Sequence, residues 1–270
     1  MRADTPMTDL HAAARRCLEA ADPAEKLRLT RAAWDALLAG ELSPDAASPA
    51  PEPIGPPGRP PRPRLVDARQ VPQRGLGSAE GRAALVHAVA HIEFNAINLA
   101  WDAVYRFRGK PDAYYRDWAS CANDEARHFA MLSDRLAELG HAYGDFDAHD
   151  GLWAMAEKTA HNDTARMALV QRVLEARGLD VTPGMIERLR HLGDTRTVPF
   201  SKSSCARKWR MSPQARAGTA TAVNATASIP RSIFSHCCAN TWASTCAVRS
   251  TCPRDARPAS MSMNSISCWR

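Results

Sequence analysis

Apolar residues recur at steps of three and four through the middle of the chain, and this spacing predicts helices. From Ser78, a plausible N-cap, a long helix is expected to run to about Arg108, where Gly109-Lys110-Pro111 stops it. Its apolar stripe is Val86, Val89, Ala96, Ile97, Ala100 and Val104, and Glu93 falls inside that stripe. A second helix, from about Asp112 to Leu139 before Gly140, carries Trp118, Cys121, Leu132, Leu136 and Leu139 on one face, with Glu125 and His128 on the same face. A third is expected from about Gly151 to Arg177, stopped by Gly178. Its apolar positions Met155, Met167, Val170 and Leu174 are less regular, and Glu175 lies at the edge of their stripe. Thr182-Pro183 opens a further short helix. Upstream, two short helices flank Asp22-Pro23, with Ala33, Trp34, Leu37 and Leu38 as apolar positions of the second.

The pattern therefore predicts an all-α protein divided into four stretches. Residues 1–43 form an N-terminal helical extension. Residues 44–77 form a linker whose prolines, nine of them between Ser43 and Arg64, favour extended backbone over helix and carry it across the surface. Residues 78–197 form the helical bundle, and residues 198–270 form a tail.

Composition changes the picture only in that tail. Residues 1–197 hold 25 basic and 28 acidic side chains, a net of −3, whereas residues 198–270 hold 10 basic and one acidic, a net of +9. Six of the eight cysteines lie in the tail, without zinc-finger spacing. The first 197 residues contain 20 leucines; the last 73 contain none, and no tyrosine or glutamate either. Such a segment has no sustained helical or strand period and is expected to be disordered.

A shifted frame through GC-rich DNA produces this bias. Back-translated with GC-favouring codons and read from the third base of each, PFSKSSCARKWRM becomes ILEVILREEVAH. The stretch from Val223 to Trp269 likewise yields leucines, acids and amphipathic periods. The expectation is a frameshift near residue 198 that replaced the native C-terminal region.

The inward carboxylates carry the chemistry. Burying an ionised carboxylate costs several kcal/mol unless it is paired or bound to metal. Glu125 and His128, at i and i+3, can both reach one ion. Alone, such a pair arises by chance on many surface helices. A lone Glu, then Glu-x-x-His, then another lone Glu is however the ligand order of di-iron carboxylate bundles, and the shifted frame spells a second Glu-x-x-His across the codons of Lys208 to Met211. Glu93 precedes Glu125 by 32 residues, and Glu175 precedes the encoded Glu by about 33.

The stretches GRPPRPRLV, EGRAALVHAVAHIEFNAINLAWDAVYRF, YYRDWASCANDEARHF, LAELGHAYGDFDAHDGLWAMAEKTAHND and RMALVQRVLEARGLDVTP resemble the bacterial family catalogued as domain of unknown function 455. That family is distantly similar to the di-iron tRNA hydroxylase that acts on a modified adenosine. The resemblance covers about residues 8–197 and implies a ferritin-like four-helix bundle, its fourth helix lost or disrupted here. By the motif, Glu93, Glu125, His128 and Glu175 would be metal ligands.

Two iron (or manganese) ions suit such a donor set and would allow oxygen-dependent oxidation or hydroxylation of a small molecule or modified nucleoside. With the second Glu-x-x-His missing, the site is expected to be impaired. Competing readings are a metal store, or a scaffold in which Arg127, Arg166 or Arg177 pairs the inward acids; RNA binding through the basic tail ranks last. His87 and His91 read as helix-surface residues, and His149, His161, Asp163 and Arg166 as inter-helix salt bridging beside the third helix. Trp118, Trp153 and Tyr143 read as packing residues. The charged N-terminus and the lack of a long uninterrupted apolar run point to a cytoplasmic protein with no membrane span.

Overall fold

The structure, a computed structural model, describes residues 8–45, 48–167, 183–184 and 186–197. Among these the protein is helical, with no strand beyond two isolated bridges. Its elements are α1 (Leu10–Glu19), α2 (Pro23–Leu38), α3 (Ala79–Arg106), α4 (Asp112–Glu138), α5 (Gly151–Lys158) and α6 (Asp163–Arg166).

Local chemistry sets most boundaries. Asp9 caps α1 by accepting from the backbone N–H of His11 and Ala12, Asp22 caps α2 from Glu25 with Pro23 in the first turn, and Ser78 caps α3 from Gly81. Gly109 and Gly140, both at positive φ, follow α3 and α4 closely, as their positions in the sequence predict. The predicted third helix differs. It breaks after Lys158, where the Thr159 hydroxyl turns back onto the Met155 and Ala156 carbonyls, and Asn162 caps a new start at α6. A capping Asn inside an irregular stripe was the available signal. Residues 168–182, including Glu175, lie outside the described residues.

The α3–α4 hairpin is the centre of the molecule. α1 packs on α3, α2 on α4, and one apolar core joins all four with α5. Residues 1–43, expected as an extension, thus contribute to the shared core through Leu10, Ala14, Cys17, Leu18 and Ala33. Trp101 of α3 is fully buried and donates its indole N–H to Thr30 of α2 at 2.9 Å. Lys26 is also fully buried, and its Nζ donates to the Cys17 and Leu18 carbonyls at the end of α1, groups with no partner inside their own helix. Burial pushes the Lys26 ammonium down to about 7.

The proline-rich segment is a strap anchored along its length. The Gly58 N–H donates to the Leu18 carbonyl at 2.7 Å, and a Cβ there would lie 2.2 Å from the Glu19 carbonyl oxygen, so only glycine fits. Farther along, Arg59 pairs with Asp150, and Leu65 bridges Ala148 in parallel. By length and composition α3 alone among the described helices could cross a bilayer, but 67% of its most apolar window is buried against the rest of the fold. It is a core helix.

Candidate metal centre

Glu93 lies midway along α3 and Glu125 and His128 one turn apart on α4, so the hairpin itself brings them together. All three are buried, and their donor atoms lie within 4.8 Å of one another. The His128 Nδ1 is 2.9 Å from a Glu125 carboxylate oxygen and 3.8 Å from one of Glu93. Burial alone would lower the His128 pKa, but the hydrogen bond to Glu125 and the adjoining Glu93 carboxylate outweigh it and raise the imidazole to about 9. The imidazolium supplies the positive charge that two neighbouring buried carboxylates require.

The His128 Nε2 is buried with no hydrogen-bond partner among the described residues. An orphaned imidazole nitrogen beside two carboxylates fits a divalent cation of the iron, manganese or zinc type, for which nitrogen and carboxylate oxygen are ordinary donors. The three residues read from the sequence as ligands are therefore assembled in one place, while Glu175 falls outside the described residues.

The other polar groups have partners of their own. Arg166, fully buried, donates to Asp102 of α3 at 2.7 Å, to the Thr159 hydroxyl and to the Ala156 carbonyl. Arg127 is exposed and reaches Asp124. Neither is paired with Glu93 or Glu125, and Arg177 lies outside the described residues. Asp163 pairs with Lys110 and Arg166 with Asp102, the salt bridging between elements that the sequence reading expects, while His161 is exposed.

His87 and His91 are buried, contrary to the surface reading, because the 141–150 loop folds over them. The His87 Nε2 accepts from the Gly144 N–H at 2.9 Å and its ring stacks on Tyr143. For His91, the Nε2 sits 3.2 Å from the His149 carbonyl oxygen and 3.1 Å from the Asn95 side-chain nitrogen, and the Nδ1 lies 2.9 Å from the Tyr143 hydroxyl. Desolvation holds both imidazoles neutral, His87 at about 4 and His91 at about 3. The sequence carries no local sign of this, since the covering loop arrives from more than fifty residues away. Trp118 and Trp153 are buried, and Tyr143 packs on the core in contact with Phe94 and Phe129.

With this geometry in place, comparison with known proteins adds three findings. The family described as "Protein of unknown function (DUF455)" matches residues 19–201. An uncharacterized protein of Haemophilus influenzae is 44% identical over 192 residues, covering 67% of this chain and 66% of that protein, so the chain spans just under two thirds of its relative. No solved structure matches.

Proposed function

This chain belongs to the family of proteins of unknown function DUF455, and we propose that it is a ferritin-like di-metal carboxylate protein, an oxygen-dependent oxidase or hydroxylase with an impaired site. The observation that carries this reading is the buried Glu93, Glu125 and His128 cluster inside the α3–α4 hairpin. It is supported by the engagement of Arg127 and Arg166 elsewhere, which removes two of the three cations that a scaffold reading would use.

When bound, a pair of such ions supplies the redox equivalents and the open coordination positions that oxygen chemistry needs. The chain's own residues do the rest. Glu93 and Glu125 provide anionic oxygens from facing helices, with Glu175 proposed as a further ligand. Glu125 orients the His128 ring, and the Phe94–Phe129 pair, with Tyr143 against both rings, screens the adjoining core from water. The substrate would be a small molecule or a modified nucleoside, and the setting the cytoplasm.

The impairment follows from the tail. The family match stops at residue 201, within a few residues of the change in composition, which supports a frameshift near residue 198. Independent resequencing of the locus is expected to reveal the displaced frame; an intact frame encoding this tail would overturn that part of the proposal. Metal analysis of the purified chain beside a frame-restored version is expected to find little iron in the first and about two ions per chain in the second. Equal stoichiometric iron in both would refute the impairment. No metal in either would favour the alternative, a structural bundle, for which the charge balance of His128 between two carboxylates already speaks. Metal without oxygen turnover in the restored chain would favour a non-catalytic metal store.

A further inference from the structure

The strap and the 144–147 loop enclose a cleft of about 570 Å³. Three arginines of the strap, Arg59, Arg62 and Arg64, line it together with Asp145 and Asp147. The volume lies within the range of small-molecule sites.

The walls are held from several sides. Gly144 forms part of the lining at φ +110, and a Cβ there would come within 2.9 Å of the Arg62 Cβ, so glycine lets loop and strap approach this closely. Below, the Gly144 N–H is tied to His87. On the strap, the Leu65–Ala148 bridge and the Arg59–Asp150 pair fix both ends of the arginine run. A cleft braced in this way is formed before any ligand arrives, which lowers the entropy cost of binding.

The polar groups are not equally committed. Arg64 is bound bidentately by Asp147, at 3.1 and 2.6 Å, and Arg59 is paired with Asp150. Arg62 is exposed and makes no ion pair with any described residue. Asp145 accepts from the Ala142 N–H through one oxygen and lies 3.5 Å from the His141 Nδ1. The cleft thus offers in one lining an exposed guanidinium without an ion pair among the described residues, two further guanidinium groups and the Asp145 carboxylate. A guanidinium favours a phosphate oxygen pair, and a carboxylate accepts from hydroxyl groups.

We propose that this cleft binds a phosphorylated, hydroxyl-bearing small molecule of about nucleotide size, its phosphate held by Arg62 and its hydroxyls by Asp145. The site uses no residue of the metal centre, so its fate is independent of the metal reading.

Calorimetric titration of the full chain with AMP, ribose phosphate, inorganic phosphate, adenosine and a single-stranded oligoribonucleotide tests it. AMP or ribose phosphate is expected to bind more tightly than inorganic phosphate, adenosine is expected to show no binding, and added salt should weaken the complex. Arg62→Ala should weaken binding roughly tenfold or more, and Asp145→Asn by a smaller factor, with unchanged circular dichroism. Binding of neither ester, binding unaltered in Arg62→Ala, or binding of a single-stranded oligoribonucleotide alone would overturn the proposal. A match between AMP and ribose phosphate assigns the sugar phosphate as the recognised part, and a preference for AMP assigns a nucleotide.

Discussion

α3 carries two buried charged clusters, and they solve the same electrostatic problem in opposite ways. Toward its C-terminal end, Asp102 accepts from Arg106 and from Arg166, whose remaining donors reach Thr159 and a backbone carbonyl. The cations there cannot lose their protons in any ordinary range of pH, and the Arg166 fork is spent on fixed partners. Midway along the helix, Glu93 and Glu125 are balanced by an imidazole, a titratable group with one nitrogen unused among the described residues. The first cluster ties α3 to the α5–α6 turn. The second leaves a donor atom available, which is what a ligand site needs and a structural clamp does not.

The largest effect is expected at the clamp. Asp102→Ala leaves Arg166 buried without its carboxylate and should cost about 3–5 kcal/mol, read by denaturant unfolding. A loss under about 1 kcal/mol would mean that Asp102 is not what holds the turn. Next comes acid. His87 is neutral in the fold at about 4, against an ordinary 6.5, so below pH 6.5 the unfolded chain binds the extra proton and stability falls as pH drops toward 4. His87's share of the loss should reach on the order of 3 kcal/mol, and His87→Gln, which still offers an acceptor to Gly144, should remove that share while His91, held neutral down to about 3, keeps its own. Equal slopes in the two proteins would show that His87 is not the group responsible.

At the proposed metal centre the ordering inverts, with a small stability change and a large binding change expected. Glu93→Gln removes one of two adjoining carboxylates and should shift stability by about 1 kcal/mol in either direction, yet reduce metal uptake by the frame-restored chain at least tenfold. If uptake survives while stability collapses, the cluster resembles the clamp and the contrast between them is lost. The smallest effect is reserved for the surface. Arg64→Ala breaks a pair with Asp147 whose arginine is largely exposed, and unfolding should move by less than about 1 kcal/mol.

Much of this was legible in the chain. The boundaries of α3 and α4 follow from Ser78, the Gly109–Pro111 stop and Gly140, and the two helices face each other along the predicted stripes. Glu93, Glu125 and His128 could be named because a charged residue inside an apolar stripe has nowhere to go except the interior. The break between α5 and α6 was harder, since one Asn cap competes with a plausible continuous period. The burial of His87 and His91, the Asp102–Arg166 clamp and the anchoring of the strap were not visible, because each depends on a partner from a distant part of the chain.

The amino-acid order by itself determined the helices and which of their faces turn inward, because caps, glycines and a period of 3.6 act over a few residues. Only the tertiary structure decided which inward acids share a space with an imidazole and which are locked to guanidinium groups. Charge pairing in a low-dielectric interior is settled by proximity across helices, and that proximity is set by packing that no local stretch of sequence contains.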